Sequence, residues 1–234
     1  MATGQSRSLA IRLLKAVVLV AVLLVLLPYL VAPLYRFGRP VSTLMMWREA
    51  TGARVERIWV PLEAIAPALP YSVIAAEDGN YCRHHGVDFG ALREVMAEAD
   101  DLSEMRGGST IAQQTAKNLF LWPGRSFVRK ALELPLALWI DLVLGKRRLM
   151  EIYLNIAEWG PAGEFGIEAG ARRAFRKGAR DLGAREAALL AAVLPNPSRR
   201  NAARPGPGVR RLGALYEARA RNAATVAECL KAGT

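Results

Sequence analysis

The chain contains 234 residues, of which 52% are apolar, and its 32 Lys and Arg residues against 21 Asp and Glu give a formal net charge of +11. That length suits one membrane segment plus one domain, and the composition excludes a wholly disordered chain, a disulfide scaffold and an all-cysteine zinc site. The positive charge is compatible with nucleic acid, an anionic membrane surface or an anionic substrate as a partner.

An apolar segment near the N-terminus, residues 16–35, contains no charged residue. As a helix that rises about 1.5 Å per residue, it would span about 30 Å, the hydrocarbon thickness of a bilayer. The alternatives are a buried core helix and a cleaved signal peptide, but the run is longer than the apolar region of a typical signal peptide. We therefore expect an uncleaved transmembrane anchor.

The orientation of this anchor depends on its flanking charges. The short tail before it, residues 1–15, carries Arg7, Arg12 and Lys15 and no acidic residue. Because positive charge next to a span prefers the cytoplasm, we predict a cytoplasmic N-terminus and a domain on the other side. That topology argues against nucleic acid as the partner of the basic residues.

The segment that follows the anchor is predicted to be less regular than the remainder of the chain. Residues 36–59 are interpreted as a stalk with one short strand. Beyond them the apolar spacing is typical of helices. Pro70 suits the first position of a helix, and Asp88 suits the N-cap of the next.

Two further helices are predicted in the middle of the chain. Ser109, after two glycines, suits the N-cap of a helix that ends near Asn118. A longer helix is expected from Ser126 to Leu144, despite the proline inside it, and Gly145 would end it. Farther along, Leu149, Ile152, Tyr153 and Ile156 recur at helical spacing, which predicts a helix that packs through this face. The fold class is therefore mostly α.

Three polar clusters interrupt these apolar helices. Glu77 and Asp78 directly follow an apolar stretch, and partial desolvation there would raise a carboxyl pKa and produce a usable general base. The alternative is a solvated pair at a helix end. Ser109, Gln114 and Lys117 lie near a glycine-rich helix start, which suits an anion or sugar site or, more simply, a capped turn.

The third cluster contains Arg125, Arg129, Lys130 and Glu133. Arg125, Arg129 and Glu133 are four residues apart and would share one helix face. A surface ladder of salt bridges is one interpretation, and it would contribute little stability. The other is a carboxylate held among cations that bind a diphosphate.

In this order, the clusters resemble the signature motifs of glycosyltransferase family 51, the peptidoglycan glycosyltransferases. The resemblance covers about residues 60–201. The matches are EDxxFxxHxG at 77–86, with Tyr81 for Phe; GGSTIxQQxxKNLF at 107–120; RKxxE at 129–133; ExYLNxxxxG at 151–160; and a last block at 166–197.

The family resemblance implies a lysozyme-like catalytic lobe beside a smaller, membrane-proximal lobe. No room remains for a transpeptidase domain and no SxxK motif is present, so a monofunctional member is expected. The predicted organisation is a cytoplasmic tail (1–15), a transmembrane anchor (16–35), a stalk (36–59), the catalytic domain (60–201) and a C-terminal basic helical tail (202–234).

The implied reaction polymerises lipid II, a disaccharide-pentapeptide on undecaprenyl diphosphate, into β-1,4-linked glycan with inversion. Glu77 would be the general base, and Glu133 the second carboxylate. Glu133 would orient cations, assist departure of the leaving group or help to hold a divalent ion. No cofactor is required by the pattern, and a divalent cation, Mg or Mn, is left as an open alternative.

The resemblance also assigns substrate-binding residues. Those expected to bind the diphosphate are Lys117, Arg125 and Lys130, with Arg129 as a further candidate. Those expected to line the donor site are Ser109, Gln114 and Asn118. His84 is interpreted as a structural residue.

The implied setting is the bacterial inner membrane, with the catalytic domain in the periplasm. The expected partners are lipid II, the growing glycan strand and membrane lipid, and other wall-synthesis and division proteins are candidates. Cys82 and Cys229 could pair outside the cytoplasm, but two free thiols are favoured because the motif calls for no bridge.

Two rival functions remain. A lysozyme-like lytic enzyme could share the fold, but a hydrolase has no diphosphate for the cations to hold. A non-catalytic scaffold for wall assembly would be indicated by loss of a motif carboxylate, whereas Glu77 and Glu133 are both present.

Overall fold

The computed structural model describes residues 2–98, 108–124 and 126–231. Over those residues the chain is mostly α-helical, as predicted, and two two-residue strands, β1 (Glu56–Arg57) and β2 (Glu164–Phe165), pair in parallel. The helices are α1 Ala2–Val31, α2 Thr43–Ala50, α3 Ala68–Glu77, α4 Phe89–Glu98, α5 Ile111–Phe120, α6 Phe127–Leu144, α7 Lys146–Ile156, α8 Ile167–Phe175, α9 Ala184–Ala191 and α10 Pro207–Val226.

The N-terminal helix α1 is long and apolar enough to cross a membrane, over Ala10–Arg36 together with the short 3-10 turn that follows it. Its large apolar side chains are exposed, so it is not the core helix that the sequence left as an alternative. The helix fits a single-pass membrane anchor.

The end of the anchor is fixed to the helical domain by specific contacts. Trp139 on α6 donates a 2.9 Å hydrogen bond from Nε1 to the carbonyl oxygen of Tyr29. Arg36 donates a 2.6 Å bond from Nε to the carbonyl of Val143. Tyr35 stacks on Phe120, with ring centroids 5.8 Å apart. The domain therefore lies directly against the C-terminal end of α1.

The core surrounds α7, which packs on α5 and α6. The predicted helical repeat of apolar residues along α7 is confirmed, since Leu149, Ile152, Tyr153 and Ile156 are all buried. On another side of the domain, α3, α9 and α10 pack on one another. The C-terminal end of α3 also contacts the first group of helices, because Glu77 is hydrogen-bonded to Gln114 on α5.

The segment 36–59 contains the predicted short strand and also a helix, α2, that was not predicted. Ser42 caps α2, because its Oγ accepts a 3.1 Å hydrogen bond from the Met45 amide. Arg48 on this helix makes a bidentate ion pair with the buried Glu158, at 2.7 and 2.8 Å. These contacts join the segment to the domain.

Two of three predicted helix boundaries are confirmed by the structure. Asp88 accepts a hydrogen bond from the Ala91 amide at 3.0 Å, as expected of a cap. The long helix ends at Leu144 before Gly145, and Pro135 is tolerated inside it, as predicted. The prediction for Pro70 was wrong, because that helix begins two residues earlier, at Ala68.

The predicted cap of α5 was also wrong by one residue. Thr110, not Ser109, is the N-cap, and it forms a capping box with Gln113. Two adjacent hydroxyl residues give the same sequence signal, and the reciprocal bond from Gln113 selects the second. Ser109 is thereby free to face α6.

Cys82 and Cys229 form a disulfide, so the expectation of two free thiols was wrong. The helix α10 packs along α3 and returns the C-terminal end of the chain to the loop after Glu77. The two Cα atoms are 5.6 Å apart although 147 positions separate them in the sequence. The motif spacing carried no information about this long-range approach.

Candidate active site

Glu77 is the last residue of α3, and its carboxylate is held by α5. Gln114 donates a 2.8 Å hydrogen bond from Nε2 to Oε2 of Glu77. The hydroxyl of Tyr153 donates in turn to Oε1 of Gln114 at 3.1 Å. Because the amide oxygen is occupied by Tyr153, the amide nitrogen of Gln114 faces Glu77.

The surroundings of Glu77 favour its neutral form more than water does. Burial raises the pKa of Glu77, while the hydrogen bond from Gln114 and the charges of Arg200 and Lys117 lower it by less. The net upward shift is the property that a general base near neutral pH requires. The alternative of a freely solvated carboxylate at a helix end therefore does not hold for Glu77.

The neighbouring carboxylate, Asp78, has a different environment. It is buried, and its Oδ2 accepts a 2.9 Å hydrogen bond from the amide of Ile111, the first residue of α5. Its Oδ1 lies 2.8 Å from Nε2 of His84. Oδ2 thus attaches the end of α3 to the start of α5, and Oδ1 holds His84 in the loop that follows α3.

The tight approach between this loop and α6 depends on Gly86, which has a φ of +76°. A Cβ at this position would collide with the backbone carbonyl of Ala137. The carbonyl of Gly86 also accepts a 2.5 Å hydrogen bond from Oγ1 of Thr110. The glycine in the first motif therefore sets the distance between the Glu77 loop and the helix that carries Glu133.

Glu133 is the centre of a partly buried cationic cluster on α6. Its Oε2 lies 2.7 Å from Nη1 of Arg129, and its Oε1 lies 2.6 Å from Nζ of Lys130. Glu133 is 3% exposed and Arg129 8% exposed, so the interpretation as a surface salt-bridge ladder was wrong for this pair. Lys130 also donates to Oγ of Ser109 at 3.0 Å, which connects the glycine-rich segment to α6.

Lys117 lies on α5 between the two carboxylates. Burial lowers the pKa of Lys117, with opposing contributions from the charges of Glu133 and Glu77 and further lowering by Arg129 and Lys130. The ammonium forms no hydrogen bond or salt bridge with any residue that the structure describes. It is a half-buried cation whose donors are available to a ligand.

The remaining predicted site residues are less closely gathered. The backbone carbonyl of Asn118 accepts a 3.0 Å hydrogen bond from Oγ1 of Thr43 on α2, and its side chain makes no bond within the described residues. Arg125 lies outside the described residues. The structure thus brings Ser109, Arg129, Lys130 and Glu133 into one cluster, pairs Gln114 with Glu77, and places Lys117 where it interacts with both carboxylates.

Two residues of this region were not singled out from the sequence. The charge of Arg200 acts on Glu77 more strongly than that of Lys117 does. Tyr216 on α10 is buried, and burial together with the charge of Glu77 raises its pKa. Arg200 lies three residues after the last motif block, and this proximity was the available signal.

The residues around Glu133 do not fit a metal site supplied by the protein alone. Each carboxylate oxygen of Glu133 is paired with a cation, at 2.7 and 2.6 Å. The described part of the chain contains no group of three His, Cys, Asp or Glu residues that could hold a metal ion.

Comparisons with known proteins identify the family of this chain. Residues 44–225 match the family model described as Transglycosylase. A biosynthetic peptidoglycan transglycosylase of Nitrobacter winogradskyi is 62% identical over 91% of this chain and 94% of its own length. Relatives of the same name from Rhodopseudomonas palustris and Agrobacterium fabrum are 62% and 51% identical, each over 93% of this chain and over 92% and 97% of their own lengths.

The family match includes every motif segment on which the resemblance was based, and it extends beyond them to α2 and α10. The mostly helical lobe around Glu77 is consistent with the lysozyme-like fold that the motifs implied. Identity of this extent over nearly the whole chain leaves no unmatched second domain among the described residues. The chain therefore belongs to the transglycosylase family.

Proposed function

We propose that this chain is a peptidoglycan glycosyltransferase that polymerises lipid II into β-1,4-linked glycan strands and releases undecaprenyl diphosphate. The observation that carries the proposal is the placement of Lys117, an unpaired ammonium that interacts with both Glu77 and the cluster around Glu133. A base and a set of cations on adjoining helices are what transfer from a diphosphate donor requires. The names of the similar proteins support the same reaction.

Glu77 accepts the proton of the acceptor 4-hydroxyl as that oxygen attacks C1 of the donor sugar. The new C–O bond forms while the bond from C1 to the diphosphate oxygen breaks, and the electron pair leaves with the diphosphate. Attack opposite the leaving group inverts the configuration from α to β, as in inverting glycosidases that use a carboxylate to activate the nucleophile. Gln114, fixed by Tyr153, holds Glu77 in position.

The leaving diphosphate is bound by Lys117 and Lys130, with Arg129 and Arg125 as additional cations by their place in the motifs. Ser109 and Asn118 line the donor site. Preorganised donors at a position where charge develops stabilise the transition state without reorganising. Glu133 orients Arg129 and Lys130, since both of its oxygens are engaged by them.

The chain is anchored in the bacterial inner membrane with a cytoplasmic N-terminus and a periplasmic catalytic domain. The basic tail before α1 supports this orientation. The Cys82–Cys229 disulfide supports it as well, because such bonds persist in oxidising compartments outside the cytoplasm. Membrane lipid contacts the exposed face of α1, and other wall-synthesis and division proteins are further proposed partners.

The lytic alternative would cleave glycan strands, whereas the proposed enzyme lengthens them. Detergent-solubilised protein would be incubated with labelled lipid II and, separately, with purified glycan strands. Polymer that lysozyme digests, with the added strands unchanged, is the expected result. Shortening of the strands without polymer would favour the lytic enzyme, and folded protein without either activity would favour a scaffold.

A further inference from the structure

A second cationic site lies at the start of α10, apart from the cluster around Glu133. A cavity of about 540 Å³ is formed by residues 199–212, the segment that connects α9 to α10 and the first turns of α10. Four arginines line it: Arg199, Arg200, Arg204 and Arg211. None of the described residues that line the cavity is acidic.

The four arginines of the cavity have no ion-pair partner among the described residues. Elsewhere in the domain arginines are commonly paired in this way: Arg48 with Glu158, Arg129 with Glu133, Arg148 with Glu151, and Arg172 with Glu168. Like charges around one cavity repel one another, and an anion that binds among them relieves that repulsion.

The local backbone keeps this cavity open. Gly206, Pro207 and Gly208 form part of its wall, and two of these three residues have no side chain that could fill it. The helix α10 begins at Pro207, so the positive end of its dipole lies at the same wall and adds to the field of the arginines. The cavity therefore combines volume with uncompensated positive charge.

One residue of the cavity wall, Arg200, links the cavity electrostatically to the proposed general base. Arg200 is held by a 2.7 Å hydrogen bond from Nη1 to the carbonyl of Ala192, at the end of α9. Its charge acts on both Glu77 and Tyr216. The cluster around Glu133 belongs to α5 and α6, whereas this cavity belongs to the group of α3, α9 and α10. Glu77 lies where the two groups meet.

We propose that this cavity binds an anionic group of the acceptor lipid II, and the inference rests on the proposed function. Planar guanidinium groups suit the paired oxygens of a phosphate or a carboxylate. The acceptor carries both, as its diphosphate and as the carboxylates of its peptide stem.

The test is the double variant Arg204→Ala/Arg211→Ala in the full-length, detergent-solubilised protein. Its matched control is Arg180→Ala/Arg185→Ala, which removes two exposed arginines that do not line the cavity. The cavity variant is expected to raise the KM for lipid II about tenfold, while kcat changes by less than about twofold. The control is expected to keep the KM of the wild type, although it loses the same charge.

A second arm identifies the anion, using lipid II whose stem carboxylates are amidated. If the KM difference between the cavity variant and the wild type disappears with this substrate, the ligand is a stem carboxylate. If the difference persists, the ligand is the diphosphate. Thermal unfolding of both variants checks that each is folded.

Failure of this inference can be distinguished from failure of the proposed function. If the wild type polymerises lipid II and the cavity variant has the same KM as its control, the cavity is not an acceptor site. If the wild type forms no polymer, the proposed function itself is wrong. A partial recovery of KM in Arg204→Lys/Arg211→Lys would support a charge-based contact.

Discussion

Gln114 donates a hydrogen bond of 2.8 Å to Glu77 and thereby joins the middle of α5 to the C-terminal end of α3. The same helix carries Lys117, whose pKa responds to Glu77 and to Glu133. The proposed base and the proposed diphosphate ligand are therefore positioned by one rigid element. Tyr153, buried on α7, fixes the amide that makes the contact.

Removal of the Tyr153 hydroxyl tests this positioning. Tyr153→Phe keeps the ring in the core but leaves Oε1 of Gln114 without its donor, so the amide is free to turn. One such hydrogen bond contributes about 0.5–1.5 kcal/mol, and we expect kcat to fall about two- to tenfold with little change in KM. Steady-state polymerisation measures it, with Tyr71→Phe, a half-buried tyrosine outside this network, as the control. Equal kcat values in the two variants would contradict the role.

Lys117 is predicted to matter more than any exposed lysine. Lys117→Ala removes an unpaired cation from the proposed leaving-group site, and loss of one preorganised donor commonly lowers the rate about 10²–10³-fold. The matched control is Lys177→Ala, because Lys177 is an exposed residue in a surface pair with Glu186. Its kcat/KM should stay close to that of the wild type. Similar losses in both variants would refute the assignment of Lys117 to the diphosphate.

The plot of kcat/KM against pH should be bell-shaped. The pH range between its two limbs should be narrower than the range that the pKa values of free glutamate and lysine would give. The pKa of Glu77 is raised by burial, so the acidic limb lies above the usual range of glutamate. The pKa of Lys117 is lowered by burial, so the alkaline limb lies below that of free lysine. In Lys117→Arg the alkaline limb should move upward, because guanidinium stays protonated. An alkaline limb at the same pH in that variant would contradict the assignment.

The disulfide should stabilise the fold by linking the loop after Glu77 to the C-terminal end. Cross-links that close long loops typically contribute about 2–5 kcal/mol to the free energy of unfolding. In denaturant titrations, the free energy of unfolding of Cys82→Ser/Cys229→Ser should be lower than that of the wild type by about that amount. The wild type treated with a reductant should show the same decrease. If the double variant unfolds at the same denaturant concentration as the oxidised wild type, the bond contributes no stability.

Much of the helical order could be predicted because it depends on local signals. The uncharged run before Arg36 predicted the anchor, and the repeat along α7 predicted a buried face. The helix α2 was missed because its cap, Ser42, lies among turn residues, and its stability comes from the Arg48–Glu158 pair more than 100 positions away in sequence. The disulfide was missed because it too joins residues that are far apart in the sequence.

The sequence predicted which residues form the candidate site, but it did not predict which of them contact one another. The motifs named Glu77 and Glu133, yet no spacing shows that Gln114 faces the first or that the second uses both oxygens on neighbouring cations. Arg200 was missed because it approaches Glu77 only through the packing of α3 with α9 and α10. Contacts of this kind are set by the tertiary fold, which periodicity does not encode.

Glu77→Gln offers a check that separates loss of chemistry from loss of structure. Because the folded-state pKa of Glu77 lies above its unfolded value, its ionisation destabilises the fold as pH rises through that range. The neutral glutamine removes this cost, so the variant should unfold at the same temperature as the wild type or higher near pH 7. A markedly lower unfolding temperature would contradict the environment described for Glu77.

The most direct test of the central claim is the rate at which wild-type and Glu77→Gln proteins convert labelled lipid II into polymer that lysozyme digests. We expect polymer from the wild type, with an amount from the folded variant that cannot be distinguished from the background. A rate close to that of the wild type in Glu77→Gln would show that another group removes the acceptor proton, and it would overturn the assignment of Glu77 as the general base.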